Sequence, residues 1–175
     1  MNIRAARKYV SPRVRPLTPD EAETRRLSYA LKVPTPEAMR TAAPEMAALI
    51  AEEDVILSAI PTSTGDHGPN RALANRIADC IRARGGRARV IVTVGRLHPV
   101  ESSCARRRRG LFGLSPEEHG LTRICGPLPL APLYFVDNVT TTGNTLRAAR
   151  AALGYGDAVC FADASTKHNQ QEAQP

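Results

Sequence analysis

The sequence predicts an α/β fold, a mostly parallel sheet flanked by helices. Short apolar runs at 54–61, 87–95, 130–138 and 157–165 alternate with segments of helical period at 43–53, 71–86 and 144–154. Those runs are short and apolar or β-branched, as strands buried in a parallel sheet are. The 175 residues suit one domain with a single sizeable core, and no internal repeat or second domain interrupts the pattern.

Taken in order, residues 1–43 are Pro- and Arg-rich with weak periodicity. They are expected to form a basic extension or hood on a main α/β domain at 44–165, with 166–175 left as a polar tail. Within the extension, Thr18-Pro19-Asp20-Glu21 reads as a helix start with acids in the first turn. Met46, Leu49 and Ile50 share a face of the helix at 43–53. The strand at 54–61 ends in Pro61, and a polar loop follows. Leu73, Ile77, Cys80 and Ile81 form the apolar face of the helix at 71–86, which Gly85-Gly86 stops. After the strand at 87–95 comes a long irregular piece, 96–120. Loops beyond about 12–15 residues in a compact domain are often functional lids. A short strand at 121–126 and the buried strand at 130–138 follow, then the helix at 144–154 with Gly154 as its end signal, and the last strand. Ligands of open α/β sheets bind at the strands' C-terminal edge, so loops 61–70, 95–120 and 137–145 are expected to meet there.

Composition narrows the classes of function. Hydrophobic residues make up 42% of the chain, charged residues 23% and aromatics 4%, so the core must rest on Ala, Leu, Ile and Val. No apolar run approaches about 18 residues, which excludes a membrane helix. The basic N-terminus lacks the apolar centre of a secretory signal, and a cytoplasmic location is expected. Cys80, Cys104, Cys125 and Cys160 are too widely spaced for a zinc site or a disulfide framework and read as buried free thiols. His67, His119 and His168 show no metal-binding spacing and read as surface or loop residues. The net charge of +7 favours phosphate-bearing partners. Its excess lies in the first 26 residues and in Arg106, Arg107, Arg108 and Arg109, which either form a solvated basic loop or contact nucleic-acid phosphates.

The most informative stretch is 133–146, LYFVDNVTTTGNTL. An apolar strand ends in Asp137-Asn138 and passes through threonines and Gly143 into a helix. The first-turn N–H groups of such a helix lack intrahelical partners, and its dipole favours anions. Gly143 allows close backbone approach or positive φ. Thr141, Thr142 and Thr145 add hydroxyl donors. Neither G-x-x-x-x-G-K-[ST] nor G-x-G-x-x-G occurs, so the common nucleotide fingerprints do not apply.

Residues 135–146 resemble the 5-phosphoribosyl 1-diphosphate (PRPP) binding loop of type I phosphoribosyltransferases: four apolar residues, two acids, two variable residues, then T-T-G-x-T. Asp137 matches the first acid; Asn138 departs from the second. The resemblance implies a Rossmann-like sheet and a pentosyl-transferring activity. Thr140, Thr141, Thr142, Gly143, Asn144 and Thr145 would hold the ribose 5-phosphate, and Asp137 and Asn138 would face the ribose hydroxyls as catalytic positions. It also implies Mg²⁺ carried with PRPP, with Asp137 as a direct contact to the metal left open. The turn after the first strand, with Thr62, Ser63 and Thr64, would take the diphosphate. The long loop holds the place of the family's lid, with Arg96, His98, Arg106 and Arg107 as candidates to neutralise the leaving diphosphate. Residues 68–78 are similar to the G-F-N-Q-A segment of the ComF-like branch, which stands near the amidophosphoribosyltransferases. Asn70 and Ala72 match, Pro69 and Arg71 depart, and the branch's cysteine-rich zinc region is missing. Members often pair, so a homodimer is an expectation. The expected function is phosphoribosyl transfer to a nitrogenous base or related acceptor. The alternatives are a PRPP- or nucleotide-binding regulator with little turnover, and a nucleic-acid-associated ComF-like factor.

Overall fold

The computed structural model describes residues 1–102, 105–106 and 109–165. In chain order the elements are β1 (Ile3–Lys8), α1 (Pro19–Ala30), α2 (Pro36–Ala48), β2 (Asp54–Ala59), α3 (Gly68–Ala83), β3 (Arg87–Val90) and β4 (Val94–Arg96). A 3-10 turn (Glu117–His119), β5 (Leu121–Arg123), β6 (Leu133–Thr140), α4 (Asn144–Leu153) and β7 (Asp157–Asp163) complete the fold. Strands β1-β7-β6-β2-β3, in that order, form one parallel sheet, and β4 and β5 form a small antiparallel pair. The fold is thus α/β, a five-stranded parallel sheet with helices on both faces.

Strand side chains alternate between those faces. Val55 and Leu57 of β2, Tyr134 and Val136 of β6, and Val159 and Phe161 of β7 join the core beneath α1, α2 and α3. Their neighbours Ile56, Leu133, Phe135, Ala158 and Cys160 join Leu146, Ala149 and Leu153 of α4 in the second core. Burial on both faces explains why these strands read as unbroken apolar runs. Phe135 and Phe161 are fully buried, each stabilising the fold by about 1.5–3 kcal/mol relative to exposure.

The crossovers position the site. From β2 the chain passes through α3 on one face to β3; from β6 it passes through α4 on the other face to β7. The two loops leave adjacent strands in opposite directions. A crevice opens between them at the C-terminal edge, as the topology of doubly wound sheets requires.

Local signals explain most boundaries. Thr18 and Glu21 form a reciprocal capping box on α1: the Glu21 N–H donates to Thr18 Oγ1 (3.3 Å) and the Thr18 N–H to Glu21 Oε2 (2.8 Å). The helix expected at 43–53 instead spans Pro36–Ala48, because Thr35 caps it and Pro36 occupies the first turn. Pro44 lies inside it at the cost of one backbone hydrogen bond. The strand expected at 87–95 breaks after Val90. Thr93 there is tied to β2 by side chains, its N–H donating to Ser58 Oγ (3.2 Å) with the two hydroxyls 2.7 Å apart, while its carbonyl accepts from the Ile124 N–H (3.0 Å) beside β5.

Residues 1–43 do more than the hood expected of them. β1 pairs with β7 as an edge strand, and Leu27, Leu31, Met39 and Ala42 are buried in the first core. Several basic residues of this segment have internal partners. Arg7 forms a two-point pair with Glu45 (2.8 and 2.6 Å) and lies over Phe161, and Arg4 donates to the Leu49 carbonyl (2.6 Å). Arg15 pairs with Glu21, and Arg26 with Glu23 and Glu37. No β1 was expected because its sequence, Ile-Arg-Ala-Ala-Arg-Lys, carries little apolar signal. Of the thiols expected to be buried, Cys160 is, whereas Cys80 and Cys125 are free but partly exposed, at the margins of the two cores; Cys104, His168 and the tail at 166–175 lie outside the described residues. Among the described residues, no helix is long and apolar enough to cross a membrane.

Candidate functional site at the sheet edge

Two cavities of about 300 and 290 Å³ occupy the crevice and share Lys32, Ser102, His119, Asp137, Asn138 and Thr145. The first extends to Thr62, Ser63 and Arg96, the second along every residue from Thr140 to Leu146.

The floor is the end of β6. Asp137 is still in register with Cys160 of β7, so its backbone is held by the sheet. Its Oδ1 accepts from the Asn138 N–H (2.8 Å) and from Asn70 Nδ2 (3.2 Å). Burial pushes the carboxyl up from 3.8 to about 6, against the lowering effect of those two bonds and of Arg96. A carboxylate so placed is ionised at neutral pH and poorly solvated, and it favours positive charge arising next to it. Asn138 Oδ1 accepts from the Val139 N–H (2.8 Å), which directs the amide NH₂ to remain as the free donor.

The chain then turns through the threonines into α4. Thr140 still pairs with β7, and its carbonyl accepts from the Ala164 N–H (2.7 Å). Gly143, at φ 75°, is the residue before the helix, and a Cβ there would lie 2.7 Å from Ile3 Cδ1 of β1. Only glycine suits both the dihedral and the space. No side chain caps α4 from that position. The Asn144 N–H finds Thr142 Oγ1 (3.3 Å), and the start of the helix faces the second cavity. Arg147, one turn into α4, donates to the Thr142 carbonyl (2.5 Å) and Asn144 Oδ1 (2.8 Å), fixing the loop from outside.

Opposite lies the turn after β2. The Thr62 N–H donates to the Asp66 carbonyl (2.8 Å) and the Gly65 N–H to the Thr62 carbonyl (3.0 Å). Thr62 and Ser63 line the cavity. Thr64 does not: its hydroxyl meets that of Thr62 (3.0 Å) at the outer side of the turn. Arg96 clamps this turn to the 3-10 turn, with Nε on the Thr62 carbonyl (2.6 Å) and Nη1 on the His119 carbonyl (2.6 Å).

The long loop lies against both turns. The Val100 N–H donates to the Ser63 carbonyl (2.8 Å), and Asn144 Nδ2 to the Leu114 carbonyl (2.7 Å). Of its expected cations, Arg96 alone among the described residues reaches a cavity. His98 is exposed, with its ring against Gly120. Arg106 Nε donates to the Phe112 carbonyl (2.8 Å), and Arg109 pairs with Glu101 (3.2 Å). Both side chains lie away from the cavities. Arg107 and Arg108 lie outside the described residues.

Several contributors escaped the sequence reading. His119, expected at the surface, is buried at 4% exposure and borders both cavities. Burial, and then the charge of Arg96, lower its pKa, with Glu118 opposing. Lys32, just past α1, brings the N-terminal segment to the rim. Asn70, noticed only as a motif match, is the side chain that joins the Ile60 carbonyl (2.8 Å) to Asp137. The one available signal was for Arg147, a cation one helical turn beyond Gly143.

Comparison of the chain with protein families, curated proteins and solved structures gave no match.

Proposed function

We propose that this protein is a type I phosphoribosyltransferase-like enzyme that binds PRPP and passes its phosphoribosyl group to a nitrogenous acceptor, releasing diphosphate. One arrangement supports this above all. The run from Asp137 to Thr145, with the T-T-G-x-T spacing, lines a cavity that continues to the Thr62–Ser63 turn and Arg96. A 5-phosphate at the start of α4 would meet N–H groups and three threonine hydroxyls. Asp137 and the Asn138 amide would face the ribose hydroxyls, and the Thr62–Ser63 turn the diphosphate. As the bond from the sugar to diphosphate breaks, positive charge grows on the ribose beside the Asp137 carboxylate, where it is favoured in the transition state more than in the ground state. The loop residues Val100, Ser102 and Leu114 would exclude water from that cation.

Mg²⁺ suits the donors present only as a cation brought by the substrate. Among the described residues, no group of three or more His, Cys, Asp or Glu side chains could hold a metal ion. Asp137 offers one carboxylate, and Mg²⁺ commonly takes one or two of these together with substrate phosphates and water. Bound in that way, the ion would neutralise charge on the diphosphate.

Asn138 favours a second reading, a PRPP-binding regulator with little turnover, since the amide keeps the size of an acid and still meets a ribose hydroxyl, as a donor, but lacks the acid's charge. Diphosphate release from PRPP with Mg²⁺ and a panel of bases separates the two. Acceptor-dependent release that Thr142→Ala removes is the expected result. Tight PRPP binding without release supports the regulator, and Asn138→Asp should then raise the rate. Absence of PRPP binding rejects both.

A further inference from the structure

We infer that His119 is a positioning residue for the anion cradle: its Nε2–H donates to Thr145 Oγ1 and aims the threonine's own proton at a phosphate-monoester oxygen of the ligand. This rests on the phosphosugar reading above and adds to it a residue outside the T-T-G-x-T run.

Three observations meet at this ring. His119 is only 4% exposed and borders both cavities. Its Nε2 is 3.5 Å from Thr145 Oγ1. Its Nδ1 is buried with no hydrogen-bond partner. The last point selects the tautomer, because a bare buried N–H is rarer than an under-used acceptor. With the proton on Nε2, Thr145 accepts from the imidazole and keeps its hydroxyl proton. With the proton on Nδ1, Thr145 would have to give that proton to Nε2 and would turn lone pairs toward an anion.

The surroundings keep the ring neutral and in place. Arg96 holds the His119 carbonyl from β4, and its charge opposes protonation of the ring. Glu118 is the acid that opposes this effect. Lys32 and Asp137 face the same space across the cavities, Glu101 borders one of them, and His98 lies against the following Gly120. At 3.5 Å the pair stands at the outer limit of a hydrogen bond. Ligand-dependent contacts of this kind commonly shorten in the complex.

The test is a double-mutant cycle on ribose 5-phosphate binding, with thermal unfolding recorded for each variant. His119→Leu and Thr145→Val should each weaken binding about tenfold, and the double variant should be little worse than either. His119→Gln, which offers an N–H near the position of Nε2, should stay within about threefold of native. Losses that multiply to about a hundredfold, or His119→Gln as weak as His119→Leu, overturn the inference. Should His119→Leu not fold, ¹⁵N NMR of the native ring decides. An Nε2–H tautomer, perturbed by inorganic phosphate, supports the assignment, and an Nδ1–H tautomer overturns it. Native protein that binds neither ribose 5-phosphate nor inorganic phosphate overturns this inference and the phosphosugar reading together, whereas binding with independent losses overturns this inference alone.

Discussion

The loop after β6 and the long loop after β4 border the same crevice, yet their side chains behave differently. In the first, every residue from Thr140 to Thr145 lines a cavity. In the second, Arg106 and Arg109 turn to a carbonyl and a carboxylate of their own loop, and Arg96 is occupied by two backbone carbonyls. Short side chains between a paired strand and a helix have their direction set by the backbone. Long cations in an irregular loop reach many partners, and any nearby carbonyl competes with a ligand. Motif spacing is therefore strong evidence in the first setting, and charge alone is weak evidence in the second.

Substitutions can break or sharpen that contrast. The largest effect is expected at Asp137. Asp137→Asn should lower diphosphate release by about 10²–10³-fold, the scale of removing one preorganised electrostatic group. The same change should stabilise the fold at pH 7.5. The folded carboxyl titrates at about 6 rather than 3.8, so the native state holds the proton more tightly than the unfolded chain and loses stability as pH rises through about 6. The gain in the variant is at most about 3 kcal/mol and should vanish below pH 3.8. His119 titrates in both proteins, so the difference between their melting curves across pH isolates Asp137. An unchanged pH dependence would count against the burial that sets its pKa.

Next comes Gly143→Val, which forces a β-branched residue to φ 75° and places a Cβ 2.7 Å from Ile3 Cδ1. Ribose 5-phosphate affinity should fall roughly 30–100-fold, equivalent to about 2–3 kcal/mol. Calorimetric titration reads it, and native-like affinity would show that the loop does not need this geometry. Arg96→Met removes the clamp between the Thr62 and His119 carbonyls. It should cost about 1–3 kcal/mol in chemical denaturation and weaken diphosphate binding at the released turn. If only affinity changed, Arg96 would be a direct anion ligand, as its sequence position first suggested. The smallest effect is expected from Arg106→Ala combined with Arg109→Ala. PRPP affinity should move less than about twofold and stability by about 0.5 kcal/mol. A large loss of PRPP affinity would mean that these cations swing inward when the ligand is bound.

The candidate site was legible wherever a local rule acted. Asp137 through Thr145 sit on a strand end and a helix start, so the end of an unbroken apolar run and the needs of a helix terminus were enough to group them. Thr62 and Ser63 were joined to them only by the family resemblance, since their own sequence reads as an ordinary turn, and nothing local separated them from Thr64, whose hydroxyl turns to Thr62 instead. His119 and Lys32 were not legible. The first follows a loop of more than 20 residues after β4, and the second belongs to a segment with weak periodicity. Their approach to the crevice depends on packing between distant parts of the chain.

By itself the sequence determined the alternation of elements, the parallel α/β class and the threonine- and glycine-rich turn into α4, because apolar period, caps and turn residues act over a few positions. The tertiary structure decided the strand order that opens the crevice between β2 and β6, and it made residues 1–43 part of the sheet and core. It also decided which cations face the cavities and that His119 is buried beside Thr145. Those outcomes depend on contacts distant in sequence and on competition for hydrogen-bond partners, which no local pattern encodes.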